Sequence, residues 1–356
     1  MILDSRDNIA AHSRLADVLR SGNLLGFVGA GVTRSLGYPS WAELVRRLAS
    51  EVRRICGESV QSNGLVIRVK DVLENFNDPL VQAQIFKENL GPRYFEVMRE
   101  VFSPQGSQSK SVGDLVSLPF RHLLTSNYDV GLERHHLVGT IPPSICLYHA
   151  ATPEFISHFL DSKYSRRIVH VHGRYDEPEK LILTQQDYDA YETVRIFARF
   201  WEVMTSAATL AFFGFSFTDL ELLYGFTATT RVLKAAGGNH EIRHFAVLGL
   251  TDESLEAAKR ITFRMKYGIE PVCYLQQGDD FSGYDEILGS LRTQAAAVPP
   301  AVGTRITPES LSAVASSLPL PEAAPDDANV RIRASVEQLR KISRENIARR
   351  QTGDLE

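Results

Sequence analysis

Apolar positions along this chain fall into two alternating rhythms. Short, largely apolar runs at Leu24–Val28, His122–Thr125, Ser144–Leu147, Arg167–Val171, Leu181–Leu183, Leu210–Phe213, Phe245–Leu248 and Pro271–Tyr274 have the length of buried strands. Between and before them, apolar residues recur at helical spacing over Ile9–Leu19, Trp41–Val52, Asp187–Ala207, Leu220–Ala235 and Ser254–Tyr267. Ser21-Gly22 stops the first of these helices, and Ser40 is placed to cap the second. From Cys56 to about Ser117 no strand recurs; Val69–Phe76, Val81–Leu90 and Tyr94–Phe102 read as helices. Strands that alternate with helices imply right-handed crossovers and parallel pairing. The expected fold is therefore α/β, a Rossmann-like, mostly parallel sheet with helices on both faces and a helical insertion at about 56–118.

Past Leu291 the pattern fades. Ala295–Pro300 and Leu318–Asp327 are rich in Ala and Pro, which predicts a linker over 296–328 after a domain spanning 1–295. In 329–356, Ile332, Val336, Leu339 and Ile342 fall near one helical face, and Arg331–Arg350 carries seven basic and two acidic side chains. This reads as a basic helix, either docked on a partner or solvated.

Composition narrows the class without identifying the function. The chain has 356 residues, 44% of them hydrophobic and 23% charged, as expected for a soluble globular protein. A net charge of −4 gives no drive toward nucleic acid or membrane. No apolar segment approaches the ~20 residues of a membrane span, and the start, MILDSRDNIAAHS, lacks the pattern of a secretory signal. Cys56, Cys146 and Cys273 are scattered and form no CxxC pair, which argues against a zinc ribbon and against a disulfide framework. They are expected to be buried thiols in a reducing, cytoplasmic compartment. No His pairs with carboxylates at metal-ligand spacing, so no metal is expected.

The candidate chemistry lies in four loops, each at the end of a predicted strand: Gly29-Ala30-Gly31-Val32-Thr33, Ser126-Asn127-Tyr128-Asp129, His172-Gly173 and Gly214-Phe215-Ser216. In a parallel sheet, ligands bind outside the carboxyl ends of the strands, so these loops converge on one crevice. Glycines before a helix let a pyrophosphate approach the backbone and its free N–H groups, and Thr33 adds a hydroxyl. The dehydrogenase fingerprint is incomplete: Arg34 stands where a third glycine belongs, and Glu51, at the spacing of the ribose-binding acid, sits in a helical pattern. Asn127 and Asp129 are either turn formers or, for Asn127, a carboxamide facing the crevice; Asp129 could also cap the helix Val130–His136. His170 and His172 share one face of a strand. His172, at the edge before Gly173, is the candidate base, since an imidazole exchanges protons near neutral pH. His170 is expected to be structural.

Taken in order, GAGVTRSLGYPSW, LLTSNYD, VHVHG and AFFGFSFTDLEL resemble the sirtuin family, and more narrowly the sirtuin-like effector domains of bacterial antiphage defence systems. The resemblance spans about residues 10–292. It implies NAD+ binding at Gly29, Ala30, Gly31 and Thr33, with Ser126, Gly214 and Ser216 lining the same site. It also implies a strand end of Thr125, Asn127 and Asp129, a catalytic His172, and an Asp219 typical of the defence-type members. Two departures bear on substrate. Deacylase sirtuins hold a zinc module in paired cysteines, which this chain lacks. Their Phe-Arg pair after the glycine loop is also replaced here by Ser40-Trp41.

The expected activity is therefore NAD+ hydrolysis to nicotinamide and ADP-ribose, with Asn127, His172 and Asp129 as the catalytic group. Such an activity would deplete NAD+ in an infected cell. It needs restraint, which implies a homo-oligomer and a regulatory partner or fused sensor or ATPase. The alternatives are a sirtuin-type deacylase or ADP-ribosyltransferase, and a non-catalytic NAD or ADP-ribose sensor.

Overall fold

The computed structural model describes residues 1–103, 108–135, 144–147, 167–190, 208–217, 243–278 and 280–296, together with Phe200, Met204, Thr205, Leu223 and Thr227. The expected linker and basic helix lie outside the described residues, apart from Ala296. So do Asp219 and almost all of Leu220–Ala235.

The chain opens with α1 (Arg6–Arg20), β1 (Leu24–Val28), α2 (Ala30–Thr33) and α3 (Trp41–Cys56). Ser40 caps α3 as expected: its hydroxyl accepts the Glu43 N–H while the Glu43 carboxylate accepts the Ser40 N–H. Next come β2 (Ser59–Ser62), β3 (Leu65–Arg68), α4 (Val69–Asn75), α5 (Pro79–Leu90), α6 (Pro92–Phe102), α7 (Lys110–Ser117), β4 (His122–Thr125) and α8 (Gly131–His135). The remaining strands are β5 (Ile145–Cys146), β6 (Ile168–His170), β7 (Thr209–Phe213), β8 (His244–Leu250) and β9 (Ile269–Leu275). Short helix Gln185–Asp189 precedes β7, helix Glu256–Tyr267 precedes β9, and helix Ser282–Ala296 follows it.

Seven strands form one sheet in the order β5-β6-β4-β1-β7-β8-β9, and each neighbouring pair is parallel. All five residues of β1 are buried, because a parallel sheet covered on both faces has no solvent side. The period-2 alternation still sorts them. Leu24 and Val28 join the core beneath α1, α3 and α5–α7, while Leu25 and Phe27 join Phe263 and Tyr267 of helix Glu256–Tyr267 on the other face. Helices thus cover both faces, and the fold is Rossmann-like α/β. The chain steps from β1 to β4 on one side and later to β7 on the other, so the sheet's switch point falls at β1.

Three sequence expectations are corrected. The 56–118 insertion is not all helix: β2 and β3 form an antiparallel hairpin. Its turn is Asn63-Gly64, both at positive φ (51° and 77°), the type I′ geometry that joins two strands directly. Leu181–Leu183 is not a strand. The Ile182 N–H donates to the His172 carbonyl (3.0 Å) and the Ile182 carbonyl accepts from the Tyr128 hydroxyl (2.8 Å), so site residues take its backbone groups. Asp187–Ala207 is not one helix either: Ala190 turns to ψ 112°, ending the helix that starts at Gln185.

Candidate active site

The glycine loop closes on the loop after β7 rather than on open space. The Gly29 N–H donates to the Phe213 carbonyl (2.9 Å) and the Gly31 N–H to the Gly214 carbonyl (3.0 Å). A Cβ on Gly29 would sit 2.5 Å from the Gly214 oxygen, and one on Gly31 2.8 Å from it. Gly214 itself has φ 58°, and its Cβ would meet the Val32 nitrogen at 2.6 Å. The three glycines are accounted for by this backbone-to-backbone approach. The Gly31 amide is engaged within the chain.

Beside this interlock, the β4 end is cross-linked. The Thr125 hydroxyl donates to the Val28 carbonyl (2.8 Å) and accepts from the Asn127 N–H (3.0 Å), tying β4 to β1 at their last ladder pair. The Thr33 hydroxyl donates to Asp129 Oδ2 (2.9 Å) and accepts from Asn127 Nδ2 (3.1 Å). Asp129 Oδ1 also accepts the Gly131 N–H (2.8 Å). Burial pushes the Asp129 carboxyl up to about 6, against the two hydrogen bonds that favour its ionised form. Asp129 thus sits behind Asn127, connected to it through Thr33.

His170 and His172 part company. His170 is fully buried between the Asn127 carbonyl (Nδ1, 2.9 Å) and the Glu133 carboxylate (Nε2, 2.7 Å). Burial opposes its charge, but Glu133 outweighs this and raises its pKa above the ordinary value; the same pairing holds Glu133 below its own. His172 lies just past the end of β6, with Nε2 3.3 Å from the Tyr188 hydroxyl.

These elements surround a crevice of about 1440 Å³ over the carboxyl ends of the sheet. Ala30, Gly31, Thr33, Ser126, Asn127, Asp129, His172, Gly214 and Ser216 all line it; Gly29 does not. The four loops singled out in the sequence therefore meet. Trp41 and the α4–α5 turn, Asn77–Leu80, form a further wall, and Val247, Gly249, Tyr274, Gln276, Phe281 and Tyr284 form the β8–β9 end. Sequence reasoning missed Tyr188, Glu133 and the β8–β9 wall, none of which sits in a recognisable motif. Glu133 alone had a signal, being one helical turn past Asp129.

Cys56 is exposed, not buried as expected, because it ends α3 at the surface; Cys146 and Cys273 are buried. Among the described residues no group of three or more His, Cys, Asp or Glu is placed to hold a metal ion. None of the described helices is long and apolar enough to cross a membrane.

Residues 121–272 match the model of the SIR2-like domain. Over 215 residues the chain is 26% identical to the NAD(+) hydrolase ThsA of Enterococcus faecium, covering 59% of this chain and 40% of that protein. It is 26% identical over 230 residues to the NAD(+) hydrolase ThsA of Bacillus cereus (strain MSX-D12), covering 62% and 42%. The protein of the same name from Cytobacillus dafuensis is 22% identical over 224 residues, covering 62% and 41%. The chain therefore spans about two fifths of the length of these relatives. The matched segment carries Asn127, Asp129, His172, Gly214 and Ser216, and the glycine loop precedes it on the neighbouring strand. Over residues 121–272 the chain is thus similar to the SIR2-like domain, and the strand order and crevice are compatible with that likeness.

Proposed function

We propose that this domain hydrolyses NAD+ to nicotinamide and ADP-ribose. The observation that carries the reading is that Asn127 and His172, from separate strands, line the same crevice as the glycine loop. At about 1440 Å³ the crevice exceeds the ~300–1,000 Å³ of ordinary ligand pockets and has room for an extended dinucleotide. The names of the relatives point to the same substrate and reaction.

Rupture of the nicotinamide–ribose bond develops positive charge on the sugar, and the fixed polar groups of the β4–β6 end suit that charge. Asn127 orients the ribose hydroxyls and the attacking water. Its side-chain amide donates to Thr33 and its backbone carbonyl is held by His170, so little reorganisation is needed at the moment of reaction. His172 accepts the water proton as the new C–O bond forms and nicotinamide departs with the bonding electron pair. Asp129 orients Asn127 through Thr33.

The resemblance to defence effectors extends the reading to NAD+ depletion in an infected cell, under control of an oligomeric assembly or a regulatory partner. Chromatography of NAD+ incubated with the wild type, Asn127→Ala and His172→Ala tests the chemistry. Nicotinamide and ADP-ribose are expected from the wild type alone. O-acetyl-ADP-ribose formed with an acetyl-lysine peptide would instead support a deacylase. NAD+ binding without any nicotinamide release, even in the activated assembly, would support a sensor.

A further inference from the structure

We infer that Tyr188 is a positioning residue for the His172 imidazole, and that the helical insertion sets it there through Lys87 and Asp187. This rests on the proposed role of His172 and adds a residue and a control element to it.

Tyr188 is buried and lines the crevice. Its hydroxyl stands 3.3 Å from His172 Nε2, and the two rings meet edge to face with centroids 5.6 Å apart. A phenol both donates and accepts, so it can donate to a neutral Nε2 and accept from a protonated one. The same contact therefore steadies the ring before and after His172 takes a proton. At 3.3 Å the hydrogen bond is long and therefore weak.

Tyr188 rides on a helix of five residues, Gln185–Asp189, too short to hold its own shape. Its position comes from its ties. Asp187 Oδ2 accepts the N–H groups of Leu183 (3.1 Å) and Thr184 (2.8 Å). Asp187 Oδ1 receives Lys87 Nζ of α5 at 2.8 Å, in a pair whose side chains are only 24% and 18% exposed. Lys87 is itself placed by the Tyr94 ring, 5.5 Å from its ammonium. Gln84 of α5 adds two hydrogen bonds to Gln186. The insertion thus grips the helix that touches the base, and any partner that shifts α5 shifts Tyr188 with it.

Turnover and substrate affinity of wild type, Tyr188→Phe, Lys87→Met, the double variant and Lys87→Arg test this, each checked for an unchanged melting temperature. Tyr188→Phe should lower kcat about three- to tenfold, as expected for one lost hydrogen bond, and leave KM unchanged. Lys87→Met should lower kcat as well, Lys87→Arg should restore it, and the double variant should be no worse than Tyr188→Phe. The proposal is overturned if the two losses multiply, or if kcat holds while KM rises. Long-range proton–nitrogen NMR of the His172 ring provides a readout independent of turnover. Its nitrogen shifts should move in the same direction in Tyr188→Phe and Lys87→Met, and unmoved shifts in either overturn the inference. If the wild type releases no nicotinamide even in its activated assembly, the hydrolase reading fails and the nitrogen shifts alone decide the positioning.

Discussion

At the β4–β6 end of the crevice, Thr33, Asn127 and Asp129 are tied to one another and His170 is pinned between Asn127 and Glu133. At the β8–β9 end, Tyr274, Phe281 and Tyr284 present rings, and the Tyr284 hydroxyl is buried with no hydrogen-bond partner among the described residues. One end fixes polar atoms in place, as a reacting centre requires. The other offers apolar area with little polar direction, which suits holding a flat ring without chemistry. The Gly29–Gly214 interlock lies between them.

The largest expected effect tests whether chemistry belongs to the polar end alone. His172→Ala and Asn127→Ala should each lower turnover by about 10²–10⁴-fold, in the range of a lost general base or its partner. Calorimetry should find NAD+ binding retained, since neither side chain belongs to the aromatic end. Loss of binding in both variants would erase the distinction between the ends.

Next comes the junction. Gly214→Ala forces a Cβ into the left-handed region and against the Val32 nitrogen, at a cost of about 2–5 kcal/mol. Chemical denaturation should show that loss, and both ends should suffer together.

The third prediction concerns pH. In the folded state the Asp129 carboxyl titrates at about 6, against an ordinary 3.8. Its contribution favours folding most below the unfolded value and is lost as pH rises through about 6. At ~1.4 kcal/mol per pH unit this amounts to about 3 kcal/mol. Urea titrations should therefore find Asp129→Asn gaining on the wild type between pH 4 and 7 by roughly that amount. A constant difference would mean that Asp129 titrates alike in the folded and unfolded states.

The smallest effect belongs to the aromatic end. Tyr284→Phe removes a buried hydroxyl that has no hydrogen-bond partner among the described residues, and should raise stability by about 1 kcal/mol with kcat unchanged. A fall in kcat would show that the aromatic end takes part in the reaction.

The polar end was far more legible in the sequence than the aromatic one. Its loops follow strands recognisable by apolar runs, and Asn, His and Gly at strand ends carry chemical meaning on their own. Tyr274 only ended a strand pattern and Tyr284 stood in no motif, because nothing local distinguishes a ring facing a crevice from one facing a helix. Tyr188 was hidden for a related reason: its meaning lies in a contact with His172 made across the crevice. The hairpin could have been read. Asn63-Gly64 is a strong turn signal, but Ser59–Ser62 and Leu65–Arg68 are too exposed to show a core pattern. The sequence placed the glycine loop at the end of a strand, and the structure adds a second demand on its glycines, the close approach of the Gly214 backbone. A missing Cβ looks the same in sequence whether a ligand or another stretch of backbone takes the space.

The interlock between Gly29 and Gly214 also bears on the order in which the molecule is made. The first loop leaves the ribosome early, yet its hydrogen-bonding partners Phe213 and Gly214 are translated much later. A nascent chain halted before β7 lacks the neighbour that shapes its glycine turn. The crevice is then completed only late in synthesis, once Phe213 and Gly214 are in place beside the first loop.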